Sequence, residues 1–300
     1  MVHTPVLLEE VIAMLDPQPG DCFIDATVGE GGHAEAILER ISPSGVLLCI
    51  DRDNDQLERA RTNLARFGDQ VIFCNGSFGD IQSIVVGLDN PATPRWKGIL
   101  MDLGWSLAQK ERSGRGFTFQ EDEPLDMRYD TSEHTGTQSA QEIINTWPVE
   151  KLERMLREYG QERFARNIAL AIGEARKSHP LTSTFQLRAV IEQATPLWYG
   201  HRRIPPATKT FQALRIAVNQ EFEELEKGLA GAMNLLSAGG KLIIISFHSG
   251  EDRIVKHALK AFAKEGMGTV LTKKPVIASP DERERNPRSR SAKMRAFLRS

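Results

Sequence analysis

The chain has little cysteine: Cys22, Cys49 and Cys74 are the only three in 300 residues, and no two form a C-x-x-C pair. That excludes a zinc ribbon, a dithiol centre and a disulfide framework. Each lies in or beside an apolar strand-like run, as core residues do, and this usage fits a reducing cytoplasm. No His/Cys/Asp cluster has metal-ligand spacing, so no metal is expected. No apolar run approaches the roughly 18 residues of a membrane span, and the opening Met1-Val2-His3-Thr4-Pro5 lacks the parts of a secretory leader. Net charge is also scarce, −2, but it hides an asymmetry. From Arg283 to Ser300 there are seven basic residues against one acid, Glu284, a tail able to meet phosphate. What remains, 40% hydrophobic and 26% charged residues, describes a soluble globular protein of one large or two modest domains.

The most informative stretch is Phe23-Ile24-Asp25-Ala26-Thr27-Val28-Gly29-Glu30-Gly31-Gly32-His33. An apolar run ends in an acid, turns through glycines and restarts as the helical pattern Ala34 to Glu39. A glycine loop lets a ligand lie against main chain, and the helix start after it adds unpaired N–H groups and partial positive charge. The next apolar run, Val46 to Ile50, ends in Asp51, placed to accept hydrogen bonds from a ribose diol. Gly29, Gly31 and Ala34 also satisfy G-x-G-x-x-A, which leaves a nicotinamide dinucleotide open. Two features favour S-adenosylmethionine (SAM). Asp25 at the first strand end would meet an ammonium group but repel a pyrophosphate. A third strand, Gly98 to Met101, ends in Asp102, so Asp25, Asp51 and Asp102 would converge beyond the carboxyl ends of a parallel sheet.

Strands and helices alternate up to Gly104 and predict a doubly wound α/β sheet. Phe78, just after the strand Val71 to Cys74, is placed either to cover an adenine or to pack. Residues 105–134 then show no period, a length of loop that is uncommon unless functional. Helical patterns fill 135–206, and a stripe from Phe211 through Leu236 at spacings of three and four predicts one long helix. Lys241 to Phe247 reads as a buried strand, and the remainder, including Pro275-Val276-Ile277, as the last strands. The division expected is therefore 1–134 with 207–300 as an α/β core, and 135–206 as an inserted all-helical domain.

Taken together, His3 to Leu8, Asp25 to His33, Asp51-Arg52-Asp53, Asp102-Leu103-Gly104, Arg115-Gly116-Phe117, Pro124 to Arg128, Tyr159-Gly160, Pro206 to Ile216, Phe247-His248-Ser249 and Asn286 to Ser291 resemble the RsmH (MraW) family of ribosomal-RNA cytidine N4-methyltransferases over nearly the whole chain. The resemblance implies a class I SAM-dependent methyltransferase (Rossmann-like) core with a helical substrate-recognition insert. It also implies action on a cytidine of small-subunit (16S) ribosomal RNA in the decoding region. The partner is that RNA or the assembled small subunit, and a homodimer stays open. Carried over by motif, Gly31, Gly32, His33, Asp51, Phe78, Asp102 and Gln109 would hold the cofactor, joined by Asp25 and Gly29 from the loop reading. The chain departs from the family pattern at Trp105, Leu107, Ala108, Gly250 and Tyr129.

Chemically, the exocyclic amine of cytosine is a poor nucleophile that must be aligned with the methyl group and relieved of conjugation by a hydrogen-bond acceptor. Asp102 is the candidate acceptor, the alternative being a cofactor-only role, and Trp105 either stacks on the flipped base or packs a lid. For the RNA, Phe117 and Phe119 are stacking candidates or loop anchors. Arg115 and Arg128 are candidate substrate-binding residues, and Arg288 and Arg290 in the basic run Arg283 to Arg299 are candidate phosphate partners, as are Arg163, Arg166 and His201-Arg202-Arg203. His248, after a strand, is either a base near neutral pH or a structural histidine. The rivals are an NAD-dependent oxidoreductase and a catalytically silent RNA-binding ribosome assembly factor.

Overall fold

The computed structural model describes residues 4–88, 96–103, 114–129, 137–200 and 205–300. The chain forms two compact units, one made of Met1–Gly104 and Phe222–Ser300, the other of Trp105–Glu221.

The first unit opens with α1 (Leu8–Leu15), β1 (Cys22–Asp25), α2 (Gly32–Ile41), β2 (Val46–Asp51), α3 (Asn54–Asn63), β3 (Val71–Asn75), α4 (Ile81–Val86) and β4 (Trp96–Asp102). In the second unit follow α5 (Ala140–Thr146), α6 (Val149–Glu158), α7 (Ala165–Ser178), α8 (Thr184–Ala194), α9 (Leu197–Gly200) and α10 (Ala207–Asn219). The chain then returns through α11 (Glu221–Leu235), β5 (Leu236–Ser246), α12 (Ser249–Lys264), β6 (Gly268–Val270), α13 (Pro280–Arg285) and β7 (Lys293–Arg299).

Among the described residues seven strands form one sheet in the order β3-β2-β1-β4-β5-β7-β6. The five strands from β3 to β5 run parallel, and β7 lies antiparallel to both β5 and β6. Side chains alternate across it. Phe23, Leu47, Cys49, Leu100, Ile243 and Ile245 share a core with residues of α1, α2 and α3, while Ile24, Leu48, Ile50, Ile99, Met101, Leu242 and Ile244 share another with α4, α11 and α12. Such near-continuous apolar strands are what a parallel sheet covered on both faces requires, and each buried Leu, Ile or Phe contributes about 1.5–3 kcal/mol. Cys49 belongs to this core, fully buried. The doubly wound α/β core with a helical insert, expected from the sequence, is built.

The order of strands reverses beside β1: the chain moves outward to β2 and β3, then returns to lay β4 on the other side. In an open α/β sheet this switch point opens a crevice beyond the strands' carboxyl ends.

The second unit has its own core. Phe117, Leu125 and Met127, from the aperiodic stretch, and Phe211, Leu214 and Val218, from α10, are buried together with Ile143, Leu156, Ile168 and Leu187 of the insert helices. Helical periodicity drew the insert at 135–206 because it registers regular elements only. Ser139 and Ser183 close capping boxes at the starts of α5 and α8, the former as the Ser-x-x-Glu pattern implies.

Two expectations are corrected. The stripe read as one long helix breaks at Gln220, which takes a left-handed φ of 50° between α10 and α11. The side-chain spacing runs on through the break, so periodicity does not register it. The second concerns Val276, which makes only an isolated bridge to Met294 and no strand.

Candidate active site

The site is built at the carboxyl ends of β2, β1 and β4. Register sets it up: Asp25 pairs with Cys49 on one side and Leu100 on the other, so Asp51 and Asp102 each lie two residues beyond a partner of Asp25. A period of two then turns all three carboxylates to the face that carries α2.

Between β1 and α2 the loop turns through Gly29 (φ 54°) and Gly31 (φ 93°), left-handed positions that favour glycine. Gly32 answers a different constraint, because a Cβ there would lie 2.4 Å from Pro5 Cγ. Thr4 to Leu7 is in turn tied down from elsewhere in the same unit. Asn286 Nδ2 donates to the Thr4 carbonyl (3.1 Å), the Leu7 N–H donates to Glu282 Oε1 (2.8 Å), and His33 Nε2 meets the Val6 carbonyl at 3.0 Å.

Each acid has distinct surroundings. Asp51 accepts the Gly29 N–H (2.8 Å) and the Asp53 N–H (2.9 Å) on different oxygens, leaving acceptor capacity on both. Burial pushes its carboxyl up to about 6 against those two N–H groups, with Asp53 adding repulsion. Asp25 is 1% exposed and accepts the Thr27 N–H. Burial raises it to about 7, with Asp51 adding repulsion. Asp102 has its side chain 20% exposed, with Oδ2 3.8 Å from His33 Nδ1. Burial raises it to about 8, then repulsion from Asp25 and Glu251, opposed by attraction to Arg288. Its Oδ1 is a buried oxygen with no hydrogen-bond partner among the described residues.

Three carboxylates held above their usual range by burial and by one another are relieved by a cation and worsened by a pyrophosphate. The glycine loop offers main chain at close range, Asp51 retains acceptor sites for a diol, and the Asp102 Oδ1, without a partner among the described residues, can accept from a donor. The residues present therefore fit SAM and disfavour NAD.

Other predicted residues are distributed as follows. Phe78 follows β3, half-buried, and closes on α11 where Gly228 leaves room, since a Cβ there would lie 2.7 Å from the ring. Trp105, Gln109, Leu107, Ala108 and His201-Arg202-Arg203 lie outside the described residues. Phe117 is 5% exposed and stacked on Tyr129, and the partly buried Phe119 packs edge-on against Phe211; their rings pack in the insert's core. Arg128 forks onto Asp126 (2.6 and 3.0 Å), and Arg115 donates to the carbonyls of Arg128 and Tyr129, so both guanidinium groups brace their own loop. Asp25 meets the crevice through its field, not through an open oxygen. His248 is the N-cap of α12: its Nδ1 accepts the Glu251 N–H while Glu251 accepts the His248 N–H. Arg290 is exposed on the 3-10 turn Pro287–Ser291. Arg288, on the same turn, is drawn below its ordinary value by burial, against the attraction of Asp102 and Glu30. It faces the acids.

Sequence reasoning missed Thr27, whose Oγ1 accepts the Asp102 N–H at 2.7 Å and joins the ends of β1 and β4. Its only signal was a small polar residue two places past Asp25. Glu251 was missed too, masked as part of a helix start.

The MraW methylase family matches residues 1–300. Among curated relatives, Ribosomal RNA small subunit methyltransferase H of Trichlorobacter lovleyi is 43% identical over 309 residues, covering 98% of this chain and 97% of the relative. The protein of the same name from Syntrophotalea carbinolica is 44% identical over 313 residues, 99% of this chain and 98% of the relative.

Proposed function

Because the chain belongs to the MraW methylase family, we propose that it transfers a methyl group from SAM to the exocyclic N4 of a cytidine in the decoding region of small-subunit (16S) ribosomal RNA. The observation that carries this reading is the cluster of Asp51, Asp25 and Asp102 at three adjacent strand ends, with an oxygen on Asp102 that has no hydrogen-bond partner among the described residues.

Gly29, Gly31, Gly32 and His33 would line the cofactor's main-chain side, Asp51 would take the ribose hydroxyls and Phe78 the adenine; Gln109 is retained on motif alone. When bound, SAM supplies an electrophilic methyl group on a cationic sulfur. Asp102 accepts a hydrogen bond from the cytosine amine, drawing its lone pair out of conjugation with the ring and toward the methyl group, and then takes the proton that the methylated nitrogen sheds. Alignment of the two reactants supplies much of the acceleration. Trp105 is proposed to stack on the flipped base.

The unit from Trp105 to Glu221 is proposed as the RNA-recognition domain, with exposed Arg163 and Arg166 and the exposed Arg290 as phosphate partners. Among the described residues no helix is long and apolar enough to cross a membrane; the cytoplasm is the proposed location.

The test is nucleoside mass spectrometry of ribosomal RNA from cells with and without the protein. It is paired with transfer from labelled SAM to free RNA and to assembled subunits by wild type and Asp102→Ala. N4-methylcytidine that depends on the protein and on Asp102 is expected. Its persistence in cells lacking the protein, or full transfer by Asp102→Ala, would refute the reading.

A further inference from the structure

The turn that carries Phe78 is held from both ends. At its start the Asp51 carbonyl accepts the Gly76 N–H at 2.9 Å and the Asn75 side-chain amide at 3.1 Å, so the turn sets out from the residue read as the ribose acceptor. On its far side lies α11. Ser77 Oγ–H donates to Glu224 Oε2, and the same oxygen accepts the Gly79 N–H at 3.1 Å. A hydroxyl has one hydrogen and a carboxylate only accepts, which fixes the order of the chain as main-chain N–H to hydroxyl to carboxylate. Burial alone would raise the Glu224 carboxyl, but the Ser77 hydroxyl and Lys227 outweigh it and hold the group below its ordinary value. The acid is therefore ionised, with its side chain 12% exposed.

Three glycines let turn and helix close to this distance. A Cβ on Gly79 would run into Glu224 Oε2, one on Gly228 would lie 2.7 Å from the Phe78 ring, and one on Gly231 would lie 2.8 Å from Ile81. The ring thus rests on α11 at Gly228, and four residues earlier on the same helix Glu224 grips the turn from which the ring projects.

We propose that Glu224 is a positioning residue for Phe78, its carboxylate clamping the turn from Ser77 to Gly79 so that the ring is in place to cover the adenine before the methyl donor arrives. This rests on the reading of Phe78 as the adenine residue. Glu224 acts through the turn, since Oε2 holds Ser77 and Oε1 meets Lys227 Nζ at 3.1 Å. Without the clamp the turn has to be ordered when the donor binds, and that ordering lowers affinity. Turnover by the loaded enzyme is spared, because the turn follows β3, three places along the sheet from the β4 that carries Asp102.

The test titrates SAM by calorimetry into Glu224→Ala, Phe78→Ala and the double variant, and assays transfer from labelled SAM. Glu224→Ala should weaken SAM binding about tenfold and raise its KM by a similar factor, with kcat within about twofold of wild type. Glu224→Gln keeps an oxygen that accepts from Ser77 and should recover most of the affinity. In the Phe78→Ala background, loss of Glu224 should weaken binding by less than about twofold more, because the clamp then has no ring to place. Ser77→Ala breaks the same link from the other side and should match Glu224→Ala, which keeps the test decisive if the latter folds poorly. Wild-type SAM affinity in Glu224→Ala and Ser77→Ala, beside a weakened Phe78→Ala, would overturn the role of Glu224 alone. So would a loss as large without the Phe78 ring as with it. Phe78→Ala binding SAM as wild type does would overturn the reading of Phe78 and this inference with it.

Discussion

Replacing Asp102 by Asn should make the donor-free protein more stable, and increasingly so as pH rises. The folded carboxyl is raised from 3.8 to about 8, so between those values the folded state holds a proton that the unfolded chain has released. Stability contributed by this group is therefore greatest below the unfolded value and is lost as pH rises through the folded one. Each tenfold change in proton affinity is worth about 1.4 kcal/mol, which sets a ceiling of roughly 6 kcal/mol above pH 8. Arg288 and the 20% exposure of the side chain temper this, and about 2–3 kcal/mol should remain after relaxation and water entry. Asparagine carries no such charge. Urea unfolding at about pH 5, 7 and 9, with equal m values required of the two proteins, should give a stability difference that grows from pH 5 to 9. A difference that is flat or shrinks with pH would show that Asp102 is not held out of its ordinary range, and the electrostatic account of the site would fall with it.

Three further outcomes follow from the same geometry. SAM affinity should rise severalfold between about pH 6 and 7.5, with protons released on binding, because a cation prefers the ionised forms of groups at about 6, 7 and 8; calorimetry in two buffers of different ionisation enthalpy reads this, and zero proton release would contradict it. Gly32→Ala places a Cβ 2.4 Å from Pro5 Cγ and should destabilise by about 1–3 kcal/mol and weaken SAM binding at least about tenfold, with the circular dichroism spectrum unchanged. In the insert, Arg215 forks onto Glu221 at 2.8 and 3.0 Å with both side chains nearly buried, so Arg215→Met should cost about 3–5 kcal/mol by stranding the carboxylate. Adding Glu221→Gln should recover part of that, as read by limited proteolysis.

What the sequence made legible is what depends on short range. The strand-turn-helix at Asp25 to His33, the acids closing β1, β2 and β4, and the alternating core of the sheet all follow from local pattern. Residues with two chemically sensible uses were harder. Phe117, Phe119, Arg115 and Arg128 sit in an aperiodic, polar-aromatic stretch that looks like a binding loop, yet their partners are Tyr129, Phe211, backbone carbonyls and Asp126. Those pairings are tertiary, and periodicity carries no information about them. Arg288 shows the same limit: a run of basic residues suggests phosphate, and only the fold shows that this one interacts with Asp102 while Arg290 stays exposed. His248 had two readings, base or structural histidine, that only the tertiary structure separates, since a histidine can replace serine as an N-cap and its Nδ1 then accepts the Glu251 N–H.

The acid cluster also bears on why the rival dinucleotide reading fails despite a matching glycine pattern. G-x-G-x-x-A specifies a turn and a helix start, both indifferent to which anion or cation lies beyond them. The discriminating term is the field at the strand ends. Asp25 and Asp102 repel each other there, and each is raised by burial, so the donor-free site stores unfavourable energy that any further anion would increase. A cation reverses the sign, and the tighter the acids are packed, the larger the gain on binding it. The same three carboxylates thus weaken the empty protein and select its ligand, which is why a substitution that stabilises the fold at high pH should be the one that abolishes transfer.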